Sequence, residues 1–172
     1  MSKPPISPYP PDPAEDAIGE LDFDALIDVV AADQDWANRR SVRFAALRVE
    51  FRRCRLTGTE LAEAALKDVT FTECRLDLAG LRFAKLERVV FRDCRMGESD
   101  FYGATLKDVL FERCELREAT FSSIHLQGAE LRGCDLVGLR GAESLRGARM
   151  PFNDVLASAV LFASVAGIEI VD

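Results

Sequence analysis

An all-β solenoid of square cross-section follows from three regularities in this 172-residue chain. Large apolar residues recur every fifth position from Phe51 to Leu136, eighteen positions holding 11 Leu, 6 Phe and 1 Met. Two residues before each stands a small or β-branched residue (Val49, Cys54, Thr59, Ala64, Val69 and so on to Cys134). The types themselves repeat every twenty residues, as in Phe51, Phe71, Phe91 and Phe111, or Val49, Val69, Val89 and Val109. A step of five fits neither an α-helix nor a flat strand. Four steps of five instead make one turn, and turns stacked about 4.8 Å apart set like residue above like. The large residue fills the axis, and the small one sits where the wall approaches too closely for anything bigger.

The elements follow in order. Residues 1–13 hold six of the seven Pro and read as an extended tail. Asp12-Pro13-Ala14-Glu15 has the N-cap acid, first-turn Pro and third-position Glu of a helix start. Apolar residues then recur at helical spacing (Ile18, Leu21, Ala25, Leu26, Val29, Val30), which predicts a helix over 14–32 and a helical cap over 14–40. The solenoid is expected over 41–150, its first turn beginning near Val42. Leu136 to Leu145 is nine residues rather than ten, so the register breaks near Leu139-Arg140-Gly141. Pro151 then opens a helix to about Ala166, with Gly167 as its cap and Ile168–Val171 as a short strand.

The repeat resembles the pentapeptide repeat family, whose units read roughly A-(D/N)-L-x-x. The matching units include Ala64-Ala65-Leu66, Cys74-Arg75-Leu76, Ala84-Lys85-Leu86, Cys94-Arg95-Met96 and Ala129-Glu130-Leu131. The resemblance implies a right-handed quadrilateral β-helix. The best-known members bind bacterial DNA gyrase, imitate duplex DNA in shape and negative charge, and dimerise through a C-terminal module similar to 151–172. It therefore implies gyrase as a candidate partner and quinolone resistance as a candidate role. The alternative is a structural or scaffold module for a different partner.

Charge and cysteine narrow the function classes. The net charge of −7 lies at the ends: residues 1–50 carry 10 acids and 5 bases, 51–150 carry 16 and 17, and 151–172 carry 3 and none. Coils of net +1 depart from a DNA mimic. The outer columns alternate in sign (Lys67-Glu87-Lys107, Asp68-Arg88-Asp108, Arg53-Glu73-Asp93-Arg113), which reads as ladders holding register. All five Cys fall on one twenty-residue column, at positions where Ala, Val, Thr and Ser also serve. They read as small buried hydrophobes rather than as a disulfide or metal stack. His125, the lone His, falls on an outward position with no nucleophile or acid placed beside it. No phosphate loop or nucleophile elbow is present, so neither an enzyme nor a cofactor is expected. A nucleic-acid footprint is not expected either. The longest uncharged run, Val155 to Ile168, is 14 residues, too short to span a membrane. An odd Cys count without an export signal points to the cytoplasm.

Two surfaces remain as candidates. The C-terminal helix has almost no polar face, so Phe152, Val155, Leu156, Ala159, Val160, Phe162 and Ala163 are expected to meet a second copy, or else to be covered within one chain. On the coils, Arg55, Arg75 and Arg95 stack three like charges, either a basic strip for an acidic partner or Arg stems packed on one another. Val90 and Leu110 stand at outward positions, either touching a partner or covered by the N-terminal helix. Phe83 and Tyr102 point outward on another face.

Overall fold

The computed structural model describes residues 6–11 and 24–171. Within them the chain winds as a parallel β-solenoid. Five eight-residue strands stack in chain order: β1 (Ala25–Ala32), β2 (Ala45–Arg52), β3 (Ala65–Thr72), β4 (Lys85–Arg92) and β5 (Thr105–Glu112). The sixth is broken into β6 (His125–Gln127) and β7 (Glu130–Arg132), both paired with β5. Each strand pairs with the next at a shift of twenty, so Leu66, Leu86 and Leu106 align, as do Val69, Val89 and Val109. Single bridges continue the stack on two further walls, through Arg55, Arg75, Arg95 and Glu115 and through Glu60, Gly80, Asp100 and Thr120.

The corners explain the five-residue step. A residue of left-handed backbone recurs every five positions, as at Arg48, Arg53, Gly58, Glu63, Asp68, Glu73, Leu78 and Phe83. Two corners of each turn close in themselves: the Ala79 N–H donates to the Leu76 carbonyl at 3.1 Å, with Leu78 at φ 60° between them. That is the signature of a type II turn, whose third residue requires positive φ. At the other corners the amide goes to the following coil, as Arg53 N–H does to the Thr72 carbonyl at 2.9 Å. A non-Gly residue in this conformation costs roughly 1–2 kcal/mol. The continuous ladder and the buried axis offset that cost.

The axis is as the repeat predicts. Of the eighteen large positions from Phe51 to Leu136, all but Leu126 are buried. Phe51, Phe71, Phe91 and Phe111 form one column of near-parallel rings, with centroids 4.5, 4.9 and 5.1 Å apart. Phe101 meets Phe91 and Phe111 edge-on from a neighbouring wall. The small column is buried as well except at Cys134, and its two hydroxyls are satisfied by their own turns: Thr59 Oγ1 donates to the Leu56 carbonyl and Ser99 Oγ to that of Met96.

Both ends differ from expectation. Residues 25–32 are not helical but form a strand, so the solenoid reaches back at least to β1 rather than beginning near Val42. The rest of the helix predicted over 14–32 falls largely on residues 12–23, outside the described residues. The first coil is hard to recognise because its sizes are exchanged. The axial step runs back from Phe51 through Ala46, Ser41, Trp36, Ala31 to Leu26, all buried, with three small residues where later coils carry Leu or Phe. Phe44, at a wall position held by Ala in later coils, fills the space and is itself buried. Pairing with β2 then overrides the helical spacing, which is coincidental.

At the far end the dropped residue falls where expected. Gly141 has φ +78°, and a Cβ there would stand 2.3 Å from the Ser122 backbone nitrogen, so only glycine lets the chain close this coil. A short 3-10 helix, Ala142–Leu145, follows. The C-terminal helix is two helices, α1 (Phe152–Ala157) and α2 (Ala159–Val165), separated at Ser158. Gly167 caps α2: its N–H donates to the Ser164 carbonyl and that of Ile168 to Ala163, the paired bonds of a Schellman cap. The cap takes up the Ile168 amide, and Ile168–Val171 pairs with no strand among the described residues, so the expected short strand does not form.

Candidate interaction surfaces

The C-terminal module divides the seven predicted interface residues into two groups. Phe152, Val155, Leu156, Ala159 and Val160 are exposed, Phe152 by 74% and Val160 by 71%. Phe162 and Ala163 are half-buried, and Phe162 packs with Leu161 against the core of the last coil. Phe162 thus anchors the module to its own solenoid while keeping part of its surface open. Asp154 supplies a second anchor, accepting the Gly133 N–H at 2.6 Å. Between the module and the last coil lies a cavity of about 490 Å³, lined by Leu136, Val137, Val160 and Leu161 among others. With Ile168, Ile170 and Val171 also exposed, the C-terminal residues carry many open apolar side chains.

The arginine strip is shorter in charge than in sequence. Arg55 reaches back to Asp35 at 3.2 Å, and Arg95 reaches on to Glu115 at 3.4 Å. The column therefore reads acid, three bases, acid, with Arg75 in the middle. The other columns are neutralised more tightly. Arg48 grips Asp28, Arg53 grips Asp33, Arg88 grips Asp68 and Arg113 grips Asp93, each pair one coil apart and bidentate. These guanidinium contacts hold the Asp33 and Asp93 carboxyls below their ordinary range.

Val90 and Leu110 lie below the surface, only 2% and 7% exposed although they face outward from the coils. The cover over Val90 is the tail, not a helix. Ile6–Pro11 crosses β2, β3 and β4, enclosing a cavity of about 230 Å³ with Val49, Glu50, Thr70, Val90 and Arg92. The Tyr9 N–H donates to Asp68 Oδ1 at 3.2 Å, and the Arg88 guanidinium lies 5.6 Å from the Tyr9 ring centre. Burial pushes the Asp68 carboxyl up, but the Arg88 and Tyr9 contacts outweigh it and leave the group below its usual value. The sequence reading missed this triad. Its visible signal was a Pro-Tyr-Pro-Pro run in a chain with apolar residues at two outward coil positions.

Phe83 and Tyr102 are exposed by 50% and 36%, packed edge-to-face at 5.6 Å with Arg82 stacked over Tyr102 at 4.9 Å. Gly103 makes room for them: a Cβ there would stand 2.6 Å from the Phe83 ring. His125 is exposed on β6, in line with Lys85 and Thr105.

The five thiols stay free and form a column. Each Sγ lies 3.3–3.5 Å from a carbonyl oxygen of the preceding coil, Cys94 on Phe71 and Cys114 on Phe91. Neighbouring thiols, together with burial, push Cys54, Cys94 and Cys134 well above the ordinary range. Among the described residues no group of three or more His, Cys, Asp or Glu is arranged to hold a metal ion. No helix among them is long and apolar enough to cross a membrane.

Comparison with known proteins agrees with this architecture. A model of the pentapeptide repeat region matches residues 46–121, and one of eight-copy pentapeptide repeats matches 114–140, together more than half of the chain. No curated protein matches the chain significantly. Among solved structures, a pentapeptide repeat protein from the thylakoid lumen of Arabidopsis thaliana is similar over 56% of this chain and 69% of its own, at 21% identity and TM-score 0.52. HetL, a pentapeptide repeat protein involved in heterocyst differentiation regulation in the cyanobacterium Nostoc sp. strain PCC 7120, is 20% identical over 77% of this chain and 64% of its own, at TM-score 0.43. QnrB1, a plasmid-mediated fluoroquinolone resistance protein, is 16% identical over 88% and 96%, at TM-score 0.26. The first of these likenesses speaks to fold alone, and the other two, with TM-scores below 0.5, carry no argument. The stacked five-residue units, their corners and the family models agree: the chain belongs to the pentapeptide repeat family.

Proposed function

We propose that this protein is a non-enzymatic, protein-binding solenoid that works as a homodimer joined through α1 and α2. The exposed apolar face of Phe152, Leu156 and Val160 carries the reading, since a soluble chain rarely leaves so contiguous a patch open. An interface between identical copies lets one patch cover its own symmetry mate. Light scattering over a concentration series tests it. The wild type is expected at twice the chain mass and Leu156→Asp at the chain mass. A wild type that stays monomeric at tens of micromolar ends the dimer.

DNA gyrase is the most specific candidate partner, and the resemblance of the repeat and C-terminal module to gyrase-binding members is its support. The tight pairing of the coil charges favours the alternative, a scaffold for another protein, because arginines clamp the carboxylates a DNA mimic would display. Gyrase supercoiling with added protein, with and without a quinolone, separates the two. Neither inhibition nor protection at stoichiometric excess leaves the scaffold reading.

A further inference from the structure

We propose that the coil face over β2, β3 and β4 is a recognition groove for an extended Pro-aromatic-Pro peptide, and that Ile6–Pro11 occupies it in cis as a strap that keeps other peptides of this class out. The inference is separate from dimerisation, which involves the opposite end of the chain.

The groove has the parts such a site needs. Its floor is mixed, with an apolar spot where a solvent-facing wall would be polar: Val90 follows Glu50 and Thr70 in one outward column. Its edge holds Asp68, only 4% exposed, clamped by both arms of the Arg88 guanidinium and aimed at the peptide backbone. In Pro8-Tyr9-Pro10-Pro11 the prolines have no N–H, so Tyr9 carries the one backbone donor of the run. That donor is the one Asp68 accepts. The Tyr9 ring lies by the Arg88 guanidinium, a cation–π contact that reads an aromatic residue at this place. Proline pre-sets the extended backbone, so docking such a segment in this groove costs little conformational entropy.

The strap also fits loosely enough to leave. Tyr9 is 65% exposed, and about 230 Å³ stays open between the strap and Thr70, Val90 and Arg92. A strap on the same chain competes at high effective concentration despite modest contacts. A partner segment with a larger side chain over Val90 fills the space that the strap leaves.

The test uses a fluorescein-labelled peptide of residues 3–12, read by fluorescence polarisation against full-length chains. In one chain residues 6–11 are replaced by Gly and Ser, which opens the groove. The opened chain is expected to bind at least tenfold more tightly than the wild type. Adding Asp68→Asn to the opened chain should remove that gain. Because Asp68 also pairs with Arg88, Val90→Glu serves as a second variant. Glu already stands at positions 50 and 130 of that column, so the coil accepts it. Val90→Glu should also remove the gain while leaving the melting curve in place. Equal binding by wild-type and opened chains, no binding by either, or unchanged binding by both groove variants overturns the proposal.

Discussion

Phe91→Ala tests the account of the axis most directly. Phe91 is fully buried in the middle of the stack, with parallel rings 4.9 Å below and 5.1 Å above and Phe101 edge-on at 6.3 Å. Truncating a buried Phe to Ala costs about 3–5 kcal/mol through lost transfer energy and the cavity left behind. Three aromatic contacts vanish with it, each worth about 0.5–1.5 kcal/mol beyond area. Some overlap between these terms is expected, so about 4–6 kcal/mol is the working figure. Walls tied to neighbouring coils by hydrogen bonds collapse poorly into a void, which places the cavity cost toward its upper end. Phe91→Leu should cost only about 1–2 kcal/mol, since Leu131 fills the same column two coils later and size is nearly kept. Urea unfolding followed by far-ultraviolet circular dichroism gives both values. Trp36, the one tryptophan, lies in the first coil against Phe51 and reports that end separately. A loss below about 2 kcal/mol for Phe91→Ala, or equal losses for Ala and Leu, would refute the stacked-axis reasoning.

Other substitutions probe the corners, the charges and the thiols. Leu78 is exposed by 56% and held at φ 60°, so Leu78→Gly relieves about 1–2 kcal/mol of strain against about 0.5–1 kcal/mol of glycine entropy, and thermal melting should show a small rise or no change. Gly141→Ala should melt at a clearly lower temperature, because its Cβ meets the Ser122 backbone rather than a movable side chain. The carboxyls of Asp33, Asp68, Asp93 and Glu112 have folded pKa values below their unfolded ones, so their stabilisation is complete above about pH 4–5 and is lost as pH falls through the lower folded values. Urea midpoints should be flat from pH 7 to 5 and drop below about pH 4; a fall beginning near pH 6 would contradict the assignment. Alkylation under native conditions should label Cys134, the one half-buried thiol, before the four buried ones, and mass spectrometry of the digest reads the order.

How much of this was legible follows from what each residue answers to. The middle coils obey one local rule repeated without a slip, and a repeat that stacks on itself needs no long-range information to be read. Phe51 through Leu136, the twenty-residue register and the glycine break at 141 were therefore visible in the residues. The first coil was not, because Ala46 and Phe44 fill one volume jointly and neither shows the pattern alone. Ile18 to Val30 has helical spacing, yet β2 offers Ala25–Ala32 a ladder, and tertiary pairing outweighs a local preference of tenths of a kcal/mol per residue. The break at Ser158 likewise has no strong sequence signal, since serine is tolerated within helices. The sites were harder still. Val90 and Leu110 could be flagged as outward and apolar, but only the three-dimensional path of Ile6–Pro11 says what covers Val90.

The charge ladders bear on where partners can bind. A surface Arg–Asp pair adds little stability, about 0–1 kcal/mol. Here its larger effect is on recognition. Arg53 on Asp33 and Arg113 on Asp93 engage both oxygens of each carboxylate from the next coil, so neither group is free to meet a partner without breaking the pair. A partner binding those columns loses about what it gains. Apolar and aromatic side chains interrupt these columns on the outer face of α1 and α2, at the Phe83–Tyr102 corner, where Arg82 still pairs with Asp100 at 3.4 Å, and at Val90 in the groove under Ile6–Pro11. Phe83 adds backbone strain at φ 58° to half-exposed apolar area, a combination that stability alone does not favour. The apolar side chains open to a partner therefore lie at the C-terminal end and at these two interruptions, while the regular columns keep the coils in register.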